Sequence, residues 1–321
     1  MKTTTLCITL LCLCLSCSLD NRAESKTEEQ KSSSVYAAGL RRSVYGLKKK
    51  NADHLWWAER TREFSNNISG NKVFTPVIIE IVSVYLDDGT CQMAFKKPDR
   101  FRGDTTNISF NPKSSLDHEK ALATYDQKHV KAIIQVSPGN ANVTTCFDLA
   151  HATFGHHPCI IGYGVDAEWY FTKESDDNTG RPIKDVDAKR WVKKVTSFNP
   201  KYTLFLKHWD PSHMPLAFRH DNLWFLNDSQ DFGGLNQMMQ DFRKWGKTYS
   251  GSIVGFQSGY PKDYRWWGKL EQPTEDISKT ILKSIPNARF LFWVDFTADK
   301  VSFHHDTVDA QPNKSIDNDK K

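Results

Sequence analysis

Ile160-Ile161-Gly162-Tyr163-Gly164-Val165-Asp166-Ala167-Glu168-Trp169-Tyr170 is the stretch on which the reading of this chain turns. An apolar run bounded by Pro158 runs directly into Asp-x-Glu and two aromatics. Short runs rich in β-branched and aromatic residues, bounded by breakers, form strands. Side chains alternate along a strand, so Asp166 and Glu168 point to the same side. Two carboxylates so placed repel when both are ionised, and one holds its proton to higher pH. A protonated carboxylic acid near neutrality is what cleavage at a glycosidic oxygen requires. The plainer alternative makes Asp166 a turn cap and Glu168 its exposed neighbour.

Further runs of the same kind flank this one: Phe74 to Leu86, Val130 to Val136, Tyr202 to Leu206, Leu223 to Leu226, Ser252 to Phe256 and Phe290 to Val294. Between them lie segments with helical spacing, at Ser115 to Gln127, Asp185 to Phe198, Leu235 to Lys247 and Thr274 to Ser284. Alternating strands and helices build a parallel sheet with helices outside it. Their number and the length of the region favour a single-domain α/β fold, a (β/α)8 TIM-type barrel, with active groups at the C-terminal strand ends. A doubly wound sheet is the runner-up, weakened because no Gly-rich phosphate loop follows the first run. The expected boundaries are a signal segment over 1–20, a polar extension over 21–49, the barrel over 50–303 and a polar tail over 304–321.

The run from Val130 ends in Ser137-Pro138-Gly139-Asn140, and a helical stretch near Phe147 to Phe154 separates it from Asp-x-Glu. This order resembles the glycoside hydrolase family 18 chitinases, whose third strand ends Ser-x-Gly-Gly and whose fourth ends Asp-x-x-Asp-x-Asp-x-Glu. The resemblance implies Glu168 as proton donor and Asp166 as the residue that orients a substrate acetamido group, whose own oxygen attacks the anomeric carbon. It also implies Gln257 and Tyr260, in Gly255-Phe256-Gln257-Ser258-Gly259-Tyr260, beside the reacting sugar, and Trp293 as its floor. The sequence departs from the pattern at Gly164, where an Asp belongs, and at Asn140, in place of the second Gly.

Three more residues are candidates for substrate contact. Trp169 follows the acids, and an indole face suits the apolar face of a pyranose. Asp210 closes the run Tyr202 to Leu206 and Asp295 the run Phe290 to Val294, each a possible second carboxylate, with a turn-residue role for Asp210 the competing reading. His156-His157 and His304-His305 are adjacent pairs, which point apart on a strand, so no metal and no other cofactor is expected.

Lys2 and the apolar run Leu6 to Cys17 read as an export signal. The expected product is secreted, or lipid-anchored through Cys17, whose preceding residues only loosely match a lipoprotein box. No later run reaches the roughly 20 apolar residues of a transmembrane helix. Cys91, Cys146 and Cys159 remain downstream, and the sequence does not choose a disulfide pair among them. Glycosylation sequons lie at Asn67, Asn107, Asn142, Asn227 and Asn313. The formal charge of +5 is spread, with Arg41–Arg42 and Lys48–Lys50 read as a solvated basic face, so nucleic acid is not an expected partner. Two functions are compatible with these features: a hydrolase of amino-sugar polysaccharides or oligosaccharides, and a catalytically silent carbohydrate-binding barrel.

Overall fold

A computed structural model of the protein describes residues 36–47, 52–68, 72–172 and 179–301. The signal segment, Cys17, Lys48–Lys50, the tail and Asn313 lie outside the described residues. The elements are β1 (Tyr36–Arg42), α1 (His54–Asn67), β2 (Phe74–Ile81), β3 (Ser83–Tyr85), β4 (Cys91–Met93), β5 (Ile108–Phe110), α2 (His118–Lys128), β6 (Lys131–Val136), α3 (Val143–Phe154), β7 (Ile160–Asp166) and α4 (Asp185–Phe198). There follow β8 (Thr203–Lys207), β9 (Leu223–Asn227), α5 (Leu235–Thr248), β10 (Val254–Ser258), α6 (Tyr264–Trp267), α7 (Pro273–Ser284) and β11 (Ala288–Trp293). The strand order β1-β11-β10-β9-β8-β7-β6-β2 closes on itself through parallel pairs, so the fold is an eight-stranded (β/α) barrel and not a doubly wound sheet. A separate sheet, β3-β4-β5, is inserted after β2. The β8–β9 connection carries only the single turn Pro211–His213 in place of a helix.

The first strand lies inside the segment expected to be a polar extension. Tyr-Ala-Ala-Gly-Leu-Arg-Arg offers few β-branched residues, and its two arginines read as surface. Both are buried, at 3% and 2% exposure, which corrects the solvated-face reading. Arg42 pairs with Glu80 of β2, which also holds His118 Nδ1 at 2.6 Å and accepts from the Tyr125 hydroxyl at 3.2 Å. Arg41 donates to Asp295 Oδ1 from Nε at 3.1 Å and from Nη2 at 2.6 Å. Each charge enters the interior with its partner, because an unpaired buried ion is far too costly. These pairs lock β1 between β2 and β11.

Inward-facing side chains fill the barrel. Phe205, Trp224, Phe290 and Phe292 pack there with Ile79 and Ile133, and Trp224 stacks on Phe290 with centroids 4.0 Å apart and planes 8° apart. This aromatic plug explains the glycine in the decisive stretch. A Cβ on Gly164 would lie 2.1 Å from the Phe205 ring. The ring occupies the space that the acid of the resembled pattern would need. The outer layer, between sheet and helices, holds most of the remaining core, Trp293 included.

Cys91 of β4 and Cys146 of α3 bring their Sγ atoms to 3.9 Å, while Cys159 packs against the Leu122 carbonyl. Asn227 is 1% exposed at the end of β9, which removes it from the accessible sequons, whereas Asn107 and Asn142 are exposed.

Two outcomes are expected from these contacts. Gly164→Ala overpacks the barrel and should cost about 1–3 kcal/mol in denaturant unfolding, with Phe205→Leu in the same chain recovering part of the loss. Under a glutathione redox buffer, non-reducing peptide mapping should find Cys91 joined to Cys146, since closing to a bond of about 2.05 Å needs only a small approach. A cross-link through Cys159 would contradict this placement.

Candidate active site

The C-terminal end of the barrel brings together side chains from four successive strand ends. Asp166 is the last residue of β7, and Glu168 sits one turn later in Ala167–Trp169. Lys207 ends β8, and Asp228 directly follows β9. Carboxylate oxygens of Asp166, Glu168 and Asp228 all lie within 4.8 Å of one another. Lys207 Nζ stands between two of these acids, 2.9 Å from Asp166 Oδ2 and 2.5 Å from Asp228 Oδ2. Gln135 Nε2, from β6, donates to Asp166 Oδ2 at 3.2 Å.

The electrostatics follow from the count of charges. Three carboxylates share one ammonium in a site where ions are poorly solvated. Burial opposes the charge of Lys207, but Asp166 and Asp228 outweigh it and hold the ammonium well above its usual range. Burial is the largest influence on Asp166 and raises its carboxyl to about 6 against the pull of Lys207. Glu168 is raised to about 7, by burial first and then by the negative charges of Asp228 and Asp166. Among the described residues, no hydrogen bond or ion pair engages the Glu168 carboxyl. It is a partly buried acid that holds its proton to near neutrality.

Several buried polar atoms at this end have no partner among the described residues: Gln135 Oε1, Asp166 Oδ1, Asp228 Oδ1 and Gln257 Nε2. Leaving such an atom unsatisfied costs about 1–3 kcal/mol. All four belong to residues at or next to the C-terminal ends of β6, β7, β9 and β10.

Tyr260, expected in the chemistry, is 3% exposed and donates its hydroxyl to Gln257 Oε1 at 2.9 Å. Burial holds its phenol well above the usual range, so it stays protonated and fixes Gln257 with Nε2 turned free. Trp169 stacks on Tyr85, at the end of β3, with centroids 5.0 Å apart and planes 19° apart. Trp293 corrects the expectation of a sugar floor. It is 0% exposed, lies edge-on to Trp267 at 5.0 Å, and donates from Nε1 to Thr297 Oγ1 at 3.0 Å. Its neighbour Phe292 takes the inward position on β11, so alternation sends Trp293 outward, under the helices. Asp210 also departs from the expected role. It caps the turn Pro211–His213 by accepting from Ser212 N at 2.8 Å. Asp295 is fully buried and accepts from Arg41 and, at 2.5 Å, from Ser43 Oγ, so it serves as the anchor of β1.

Sequence reasoning missed Asp228, Lys207, Gln135 and Tyr45. The rule that singled out Asp166, an acid at the end of an apolar run, applies equally to Asp228 after Leu223–Asn227. Lys207 carried no such signal, because a lysine at a strand end reads as surface. Tyr45 follows β1 and leaves its ring 40% exposed, while burial pushes its phenol up to about 12, with Arg41 and Lys207 opposing and Asp166 and Asp295 reinforcing. Trp209, just past β8, is 42% exposed.

No protein-family profile matches the sequence, and no curated protein is significantly similar to it. Solved structures similar to the chain include a beta-D-glucuronidase from Dictyoglomus thermophilum, at 11% identity and a TM-score of 0.44, covering 81% of this chain and 43% of that one. An FMN-binding beta-glucuronidase from Facaelibacterium prausnitzii L2-6 is similar at 11% identity and a TM-score of 0.45, over 82% of this chain and 38% of that one. An endo-glycoceramidase II from Rhodococcus sp. is similar at 10% identity and a TM-score of 0.42, over 81% of this chain and 73% of that one. The chain thus spans less than half the length of either glucuronidase.

The raised Glu168 carboxyl has a consequence for stability. Its value rises from 4.5 to about 7 on folding, so the folded chain binds this proton more tightly than the unfolded chain. That contribution is complete below about 4.5 and is lost as pH climbs through about 7. Glu168→Gln should therefore raise the melting temperature at pH 8, on the order of a few degrees, and leave it nearly unchanged at pH 4.5. An equal shift at both values would show that Glu168 does not carry this proton.

Proposed function

We propose that this chain is an exported glycoside hydrolase acting on polysaccharides or oligosaccharides that contain amino sugars. The observation that carries the proposal is the unpaired Glu168 carboxyl, raised to about 7, beside Asp166 and Asp228 at the C-terminal end of the barrel. Glu168 protonates the leaving oxygen. Asp166, whose Oδ1 has no partner in the described residues, receives the acetamido N–H or offsets the positive charge that develops at the anomeric carbon. In the substrate-assisted route implied by the resemblance to family 18 chitinases, the acetamido oxygen bonds to that carbon as the glycosidic C–O bond breaks; water, giving a proton to the now ionised Glu168, then displaces the acetamido oxygen and restores the acid. Lys207 keeps Asp166 and Asp228 fixed during the step, and Gln257 Nε2 is oriented by Tyr260 to donate to a sugar oxygen. Trp169, Tyr45 and Trp209, each just past a strand end, supply aromatic faces for sugar rings.

A silent carbohydrate-binding barrel is the second reading. The ion pairs of Lys207 favour it, because they occupy one oxygen of each of two acids. Hydrolysis of chito-oligosaccharides and related amino-sugar polymers by the parent and by Glu168→Gln separates the two. The hydrolase reading expects turnover by the parent, a loss of about 10²–10⁴ in the variant from removal of the general acid, and sugar affinity largely kept. It also expects kcat/KM of the parent to fall as pH rises through about 7, where Glu168 loses its proton. No turnover by either protein, with equal sugar binding in both, would establish the silent barrel.

A further inference from the structure

A second cluster lies away from the active site, where α2 meets the turn between α3 and β7. The sequence placed His156 and His157 side by side and gave no reason to expect a chelate. In the fold they leave the helix in a turn instead of a strand, and their rings lie with centroids 4.2 Å apart and planes tilted by 37°. Both Nε2 atoms turn toward the same oxygen of α2. His156 Nε2 is 3.0 Å from Glu119 Oε1, and His157 Nε2 is 3.2 Å from it. One ligand atom from each of the three residues lies within 4.8 Å of the others.

The support behind this cluster is as specific as the cluster. His157 Nδ1 lies 2.6 Å from Asp126 Oδ2, two turns further along the same face of α2, and a carboxylate there can only accept. The Nδ1 hydrogen is therefore committed to Asp126. Asp126 is itself fixed, its Oδ1 accepting from Cys159 N at 2.7 Å. His157 Nε2, the ring nitrogen that Asp126 does not engage, faces Glu119 Oε1 as His156 Nε2 does.

We propose that Glu119, His156 and His157 form a site for a divalent transition metal of the zinc type, with Asp126 orienting His157. Ligands about 2.0–2.1 Å from a tetrahedral zinc stand about 3.3 Å from one another, and the two Glu119 contacts already match that separation. A ring nitrogen donating to a carboxylate while the other faces the metal is the usual support of a ligating histidine. His157 is nearly buried, whereas the side chains of His156 and Glu119 are 60% and 56% exposed, so an ion enters from solvent and water completes its coordination. The metal ties α2 to the turn that launches β7, the strand that ends in Asp166.

The test is zinc binding to the full chain after chelator treatment, followed by equilibrium dialysis and by melting temperature, with cobalt(II) as a spectroscopic substitute. The expected result is one tightly bound ion, a raised melting temperature, and a cobalt absorption band of tetrahedral intensity. His156→Ala and Glu119→Gln, both at exposed positions that leave the core untouched, should abolish all three. Asp126→Asn should weaken binding about 10–100-fold. Absence of zinc binding by the parent, or binding that persists unchanged in His156→Ala and Glu119→Gln, would overturn the proposal.

Discussion

The ammonium of Lys207, buried between Asp166 and Asp228, is the constraint around which the active end of the barrel is organised. An ion there is tolerated only because two carboxylates surround it, and each carboxylate is tolerated only because of the ion. Three acids meet one ammonium, and Glu168 is the acid outside the two ion pairs. Glu168 stands outside the ion-pair triad but inside its field, so the cheapest state of the cluster keeps a proton on Glu168. The same balance that makes the folded chain stable thus prepares an acid at a pH where an ordinary glutamate would be ionised. Deleting the ammonium would leave three like charges in a poorly solvated site and unsettle the strand ends that carry them.

That cluster rests on a barrel interior filled with large rings. Phe205, Trp224 and Phe290 occupy the middle of the barrel, and Gly164 and Gly255 yield the space they need. The outcome is a trade in which β7 gives up an inward side chain below Asp166 and gains a rigid floor. The interior has no room for the additional acids of the resembled chitinase pattern. Whatever chemistry the site performs is carried by groups at the rim, on the last residue of a strand or the first residues beyond it.

The rim also depends on a strand whose sequence looks unlike one. Arg41 and Arg42 are drawn inward by Asp295 and Glu80, on opposite neighbours of β1. These buried pairs join β1 to β2 and to the turn that follows β11, and Arg41 lies 5.7 Å from the centroid of the Tyr45 ring. Substitution of either acid would leave an arginine uncompensated in the interior, a defect of the costliest kind.

The periodicity of the sequence by itself determined the alternation of strands and helices and the barrel class, because these depend on local spacing along the chain; Glu168 lies beyond β7 in the turn Ala167–Trp169, so that turn and not strand alternation brings it to Asp166. The resemblance to family 18 chitinases, not periodicity, is what implied Gln257 and Tyr260 beside the reacting sugar. Periodicity did not reveal β1, whose buried charges are legible only through partners 38 and 254 residues away. The period-two rule would have turned Trp293 outward, had the inward register of β11 been known. Which side of a strand faces the barrel axis is fixed by closure of all eight strands. The convergence of Asp228 and Lys207 on Asp166, the use of Asp210 as a cap and of Asp295 as an anchor, and the meeting of two adjacent histidines at Glu119 were likewise decided by tertiary structure alone. Each depends on through-space distances between groups far apart in the chain, and such distances are set by packing.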